Sequence, residues 1–240
     1  KNPCTTDSCD KGAGKCIHDA VKDGTPCKGG KCNKGVCGGG GGGVKVSVKA
    51  ADIADAFIES AAKQGSHKYL ILGKSGSYPK KRSLLRFDLA KIAAGKKVTS
   101  AKLRVYVQYW HVPSSIGAKE PAIDRIIEVY RVLKPWTEKG VSGYDTGTGK
   151  KWSKKLLATD GTDAAKTATV SRLWPAGAKG WQEFDITALT QSWLDHPAKN
   201  HGVLLKANNE DKSGREPRCW SKNAAGKADM YPYLMVEYIQ

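Results

Sequence analysis

From residue 44 onward, apolar residues recur mostly at every second position. "VKVSVKA" alternates at the start of this region. In "KLRVYVQYW", Leu103, Val105, Val107 and Tyr109 alternate with Lys102, Arg104, Tyr106 and Gln108. That period sends successive side chains to opposite faces of a pleated strand. "IIEVYRVL", "GVLLKAN" and "YLMVEYI" predict further strands. Turn phrases such as "KSGSYPKK", "IAAGKK", "DTGTGKK", "WPAGAKG" and "NNEDKSG" separate them. In "SLLRFDL", Leu84, Arg86 and Asp88 are expected on one face, with Leu85, Phe87 and Leu89 on the other. "GWQEFDI" places Trp181 and Phe184 as expected core aromatics. Strands without long intervening helices predict an all-β sandwich or jelly roll. The period becomes helical once, in "DITALTQSWLDH", with Asp185 as N-cap and Ile186, Leu189, Trp193 and Leu194 on one face. A shorter helical turn is expected in "ADIADAFIES".

Before residue 44 the apolar pattern disappears. Cys4, Cys9, Cys16, Cys27, Cys32 and Cys37 are set among Gly and Lys with almost no large apolar residue. A segment of this kind cannot bury a core, so disulfides joining all six cysteines are expected to replace one, in an oxidising compartment. The spacing alone leaves the pairing open. It matches no zinc ribbon, iron–sulfur pattern or haem attachment site. Cys219, the seventh cysteine, is either a buried thiol or a partner for another chain. Six glycines at residues 38–43 read as a flexible linker, or as a segment packed against a neighbouring chain. The expected organisation is a disulfide-rich module at residues 1–37, a linker at 38–43 and a β-sandwich at 44–240. The chain starts at Lys1 and not at Met, which suits a processed or excised polypeptide.

The phrases "NPCTTDSCD", "GKCIH" and "DGTPCKGGKCNKGVC" resemble a cysteine-rich repeat of bacterial extracellular proteins. The resemblance implies a spacer or interaction module. Further on, "ADAFI", "RSLLRFDLAKIAAGKKVTSAKLRVYV", "VYRVLKPWTE", "GWQEFDITALTQSWLDHPAKNHGVLLKA" and "YPYLMVEY" follow in order. This region resembles the DNRLRE-type domain, related to disaggregatase repeats and to a family of carbohydrate-binding modules. The resemblance implies a jelly-roll sandwich of two antiparallel sheets with one short helix. It also implies a secreted or cell-surface setting and, for some members, binding of acidic polysaccharide such as alginate.

Charge sharpens the choice of partner. Lys and Arg number 40 against 23 Asp and Glu, a formal +17, which suits a polyanion. Nucleic acid is not expected, because the disulfides place the chain outside the cytoplasm and no nucleic-acid module is recognisable. No apolar run approaches the ~20 residues of a membrane span. "LGKSGS" and "GTGKK" imitate a phosphate-binding loop but lack its full spacing, and no nucleophile elbow, zinc-protease or EF-hand motif occurs. An enzyme is therefore not expected. Lys68, Lys74, Lys80, Lys81 and Arg82, interleaved with Tyr69 and Tyr78, form the densest basic stretch. Such groups could meet the carboxylates or sulfates of an acidic glycan at ~0.5 kcal/mol per exposed pair. The family resemblance points to the same stretch and to a tyrosine near the last strand, here Tyr231 or Tyr233. Trp110, Trp152, Trp174 and Trp220 lie near loops and are candidates for a sugar platform or a contact with another chain. Asp52, Asp55 and Glu59 are candidate ligands for a structural Ca²⁺; no other cofactor is expected. The expected function is non-catalytic binding of acidic polysaccharide or cell-surface adhesion. The alternative is self-association into an extracellular filament, head to tail through the cysteine-rich module and glycine linker.

Overall fold

In the computed structural model, which describes residues 3–10, 15–27, 30–38, 43–114 and 120–239, the cysteine-rich segment is a set of short hairpins. Strands β1 (Thr5–Asp10) and β2 (Lys15–Ala20) pair antiparallel with the backbone of Cys9 opposite that of Cys16. Strands β3 (Pro26–Cys27), β4 (Gly30–Asn33) and β5 (Val36–Gly38) form a second sheet, with Cys32 opposite Cys37. Lys34 and Gly35 turn the β4–β5 hairpin with φ 46° and 77°. Two successive positive φ values are what a two-residue type I′ connection needs. Cys4 and Cys32 are bonded, their Cα atoms 5.3 Å apart, and both are buried. Cys27 is also disulfide-bonded. The side chains of Cys9, Cys16 and Cys37 lie outside the described residues, as do residues 39–42 of the glycine run. By its internal contacts the chain divides into two units, Lys1–Val44 with Ile239–Gln240, and Lys45–Tyr238.

The larger unit is all-β apart from one α-helix and short 3-10 turns. Its strands are β6 (Val44–Lys49), β7 (Ile53–Ile58), β8 (Tyr69–Ile71), β9 (Arg82–Phe87), β10 (Lys97–His111) and β11 (Arg125–Arg131). After these come β12 (Val170–Trp174), β13 (Gly180–Asp185), β14 (Val203–Ala207), β15 (Glu216–Trp220) and β16 (Tyr233–Ile239). One sheet runs β6-β16-β10-β15-β8, with β13 also on β10; the other runs β12-β11-β14-β9-β7. Every described register is antiparallel. Leu103, Val105 and Val107 are buried, and so are Leu85, Phe87, Ile127, Val129 and Leu205 of the other sheet. Two apolar faces of alternating strands thus supply the sandwich core.

Three details depart from strict alternation. In β10 the register shifts between Val107 and Tyr109; this bulge leaves Tyr109 half-buried and turns Trp110 inward. Leu84 is buried, although it shares a face with Arg86, because the long connection between β11 and β12 folds back over that face. Trp136, Trp152, Leu156 and Leu157 of that connection cluster with Ala56, Leu84, Tyr130 and Leu204. The stretch "ADIADAFIES" is a single 3-10 turn, Ala50–Asp52, followed by β7. Pairing along β9 and burial of Phe57 and Ile58 override the helical reading.

The helix α1 (Thr187–Asp195) buries Leu189, Thr190, Trp193 and Leu194. Asp185 accepts the Thr187 N–H at 2.9 Å and the Thr187 hydroxyl at 2.7 Å, so it serves the first turn from one position further upstream than a standard N-cap. Phe184 is core, whereas Trp181 is only half-buried and stands edge-on to Tyr106 and Tyr233 on the opposite face of the sheet. Trp110, Trp152, Trp174 and Trp220 are all buried, so none of the four is a sugar platform. Cys219 is fully buried, and burial pushes its thiol pKa up.

Asp55 on β7 is fully buried and accepts hydrogen bonds from Ser221 Oγ, Lys222 N and Asn223 Nδ2 at 3.0, 2.9 and 3.3 Å. Burial dominates those donors and pushes its pKa up to about 6. A carboxyl raised in the folded state binds its proton more tightly there than in the unfolded chain. Its contribution to stability is therefore full below the unfolded value and is lost as pH rises through about 6. The stability of the protein relative to an Asp55→Asn variant should fall by roughly 2 kcal/mol between pH 4 and pH 7. Paired urea denaturation curves across that range check this, and a flat difference refutes it.

Candidate functional site

The basic run at residues 80–82 enters β9, where alternation sends neighbouring side chains apart. Lys80 and Arg82 line a cleft of about 450 Å³ together with Lys74, Tyr78, Lys155 and Leu156. Lys81 points away and is 6% exposed. Its ammonium lies 2.7 Å from Glu216 Oε1 and 3.6 Å from Glu59 Oε2. Of the five basic residues expected to meet an acidic glycan, Lys81 is instead a buried ion paired with Glu216.

Internal polar contacts hold the cleft walls. The loop carrying Lys74 is pinned by Glu120, which accepts hydrogen bonds from the Ser75 and Ser213 hydroxyls and from the Gly76 N–H. Burial pushes the Glu120 carboxyl up, but these donors outweigh it and hold the pKa below the usual range. Below that loop runs Arg125, fully buried, whose guanidinium donates to the carbonyls of Lys74 at 3.1 Å and Gly214 at 3.2 Å. Gly73 makes room for it: its φ is +82°, and a Cβ there would sit 2.7 Å from the Arg125 guanidinium carbon.

The opposite wall is strained. Leu156 and Leu157 both have left-handed backbones, φ 67° and 66°, a conformation that costs a branched side chain on the order of 1–3 kcal/mol. Arg82 locks it, donating from Nη1 to both leucine carbonyls at 2.8 and 2.7 Å. The rest of its guanidinium grips Glu210 through two bonds of 2.9 and 2.6 Å. Arg82 is therefore a wall of the cleft more than a free cation. The strained turn presents Lys155, which is exposed and 5.4 Å from the centre of the exposed Tyr144 ring.

Lys74, Lys80 and Lys155 thus converge beside Tyr78, which is 39% exposed. Lys80 pairs with Asp211 at 2.6 Å, but that carboxylate is 82% exposed, so the pair is weak and readily exchanged. Lys80 holds the Asp211 carboxyl below its ordinary pKa, keeping it ionised.

The other candidates lie elsewhere. Lys68 is exposed with its ammonium over the Tyr69 ring. Tyr231 donates to the Ala224 carbonyl at 2.8 Å. Tyr233 is hydrogen-bonded by Arg104 and lies under the Lys49 ammonium. None of the three lines the cleft. The three carboxylates expected to hold Ca²⁺ have separate partners: Asp52 pairs with Lys91 at 2.6 Å, Asp55 takes the three donors described above, and Glu59 accepts from Gln64 at 3.3 Å. Among the described residues, the three side chains close enough to surround an ion are Cys4, Cys27 and Cys32, all of them disulfide-bonded. Sequence reasoning missed Lys155 and Tyr144. Both lie in the connection between β11 and β12, where no periodicity signals which face a residue takes.

A separate cleft of about 590 Å³ lies between the ends of β7 and β9 and the helix. Its charges are of mixed sign, with Lys222 paired to Glu138 at 2.8 Å. Among the described residues, no helix is long and apolar enough to cross a membrane.

The family model described as Disaggregatase related repeat domain matches residues 58–214, more than half of the chain and most of the sandwich, including all the cleft residues. Among curated proteins, "Protein DVR-1 homolog" of Strongylocentrotus purpuratus is 28% identical over 123 residues, 50% of this chain. The aligned stretch is 20% of that protein, so the chain spans about a fifth of the length of the curated relative it matches.

Proposed function

Since the chain belongs to the disaggregatase related repeat family, we propose that it is a non-catalytic extracellular module whose lysine-lined cleft binds acidic polysaccharide. The convergence of Lys74, Lys80 and Lys155 beside an exposed tyrosine carries this reading. Three ammonium groups on one rim, with one exposed carboxylate to displace, suit a polymer that repeats its negative charge. A disulfide-stapled module is consistent with the secreted or cell-surface setting. The filament alternative depends on the glycine run, most of which lies outside the described residues, and no observation favours it.

Each lysine is worth ~0.5 kcal/mol against a glycan carboxylate at an exposed site. Changing Lys74, Lys80 and Lys155 together to alanine should therefore raise the Kd for alginate oligomers about tenfold. The thermal midpoint should not move. Binding by the unchanged protein should weaken as salt shortens the screening length. Titration calorimetry at two ionic strengths measures both effects. Equal affinity in the variant would overturn the assignment of the site.

A further inference from the structure

The lysine cleft has a neighbour of different chemistry. A cavity of about 510 Å³ is lined by His67, His111, Gln64, Glu59 and Arg218, and Tyr78 lines both spaces. Both volumes fall within the ~300–1,000 Å³ of small-ligand sites. The alternation that separates Lys81 from Lys80 and Arg82 also divides the two spaces: Lys81 lines the cavity, and its ammonium is 5.7 Å from the centre of the Tyr78 ring.

The charges of this cavity cancel within it. Lys81 is neutralised by Glu216 and Glu59 at 2.7 and 3.6 Å. Arg218 faces the second Glu216 oxygen at 3.9 Å and stacks over Tyr69 and Tyr109. Burial, and after it the Arg218 charge, lower the pKa of both His67 and His111, so both are neutral at neutral pH. His67 Nδ1 lies 3.0 Å from the Tyr69 N–H and 3.2 Å from the Tyr69 carbonyl, so the Tyr69 backbone engages that nitrogen in either tautomer. Imidazoles, an amide and a carboxylate lining one cavity offer both donors and acceptors. A sugar hydroxyl is both at once.

We propose that the two spaces are adjacent subsites of one groove, for a polymer in which an acidic sugar adjoins an uncharged one. The acidic unit takes the lysine cleft, the uncharged unit takes the histidine cavity, and Tyr78 lies between them. This rests on the lysine cleft being the acidic-polysaccharide site, and adds the composition of the polymer that fits.

Two probes test it: an alternating copolymer of a uronic acid and an N-acetylated hexosamine, and a polyuronate homopolymer of equal length. The unchanged protein should bind the copolymer about tenfold more tightly, although it carries half the charge per sugar. A Gln64→Ala/His111→Ala variant should lose that preference and retain its affinity for the homopolymer. Tyr78→Ala, at an exposed position, should weaken copolymer binding about tenfold with an unchanged melting temperature. Equal affinity of the unchanged protein for both polymers, or a preference that survives in the double variant, overturns the two-subsite groove. The triple lysine variant supplies the separate control: undiminished binding of both polymers there would remove the underlying site itself.

Discussion

Replacing Glu216 with alanine is expected to destabilise the sandwich by about 3–5 kcal/mol, the cost of stranding a buried charge. Glu216 is fully buried and holds the Lys81 ammonium at 2.7 Å. Without it, Lys81 keeps a more distant carboxylate at 3.6 Å and little contact with water, since its side chain is 8% exposed. Burial pushes the Glu216 carboxyl up, and Lys81 opposes that; the two ions depend on each other. A Lys81→Met/Glu216→Leu double variant removes both charges at similar volume, and should recover most of the loss. Urea denaturation of the two single variants and the double variant gives the coupling directly. A loss below about 1 kcal/mol in Glu216→Ala would show that this ion pair does not hold the segment leading into β9 against β15.

The second large effect concerns the cysteine-rich module. Cys4 and Cys32 are separated by 28 positions, and both are buried in a unit with almost no other apolar residue. Closing a loop of that length restricts the unfolded chain by about 3–4 kcal/mol. Apart from the bridge through Cys27, a segment this small has little else to hold it folded. Changing both residues to serine should abolish the slow backbone exchange of β1–β5 while leaving that of β10 and β14 unaltered. Hydrogen exchange read strand by strand measures this. Persistent protection of the module in the variant would mean that its hairpins stand without the bond.

The strands were readable because alternation is enforced at each position: a one-residue slip would bury Lys102 and Arg104 and expose Leu103 and Val105. The helix was readable from four apolar residues at helical spacing. The site was only partly readable. Lys74 and Lys80 come from a local run, but Lys155 arrives from a connection with no period, placed by a strained backbone and by Arg82. The same alternation that predicted the strands implied that Lys80 and Lys81 would face opposite ways. A count of basic residues did not register it, because charge density carries no direction. Trp152 and Trp174 looked exposed for a related reason. The burial of Trp152 depends on the β11–β12 connection folding back over a sheet, a long-range event without a local signature.

Cys219 has a consequence for how this chain matures. Cys4, Cys27 and Cys32 must oxidise while the Cys219 thiol is present, and any accessible thiolate attacks a forming bridge and reshuffles it. The sandwich removes that competitor physically, because the sulfur is sealed between strands and its ionisation is suppressed. Correct bridging therefore favours an order of events in which the carboxy-terminal sheets close first. Refolding in a glutathione buffer should accumulate scrambled isomers whenever closure is slowed, and a Cys219→Ala chain should be spared them.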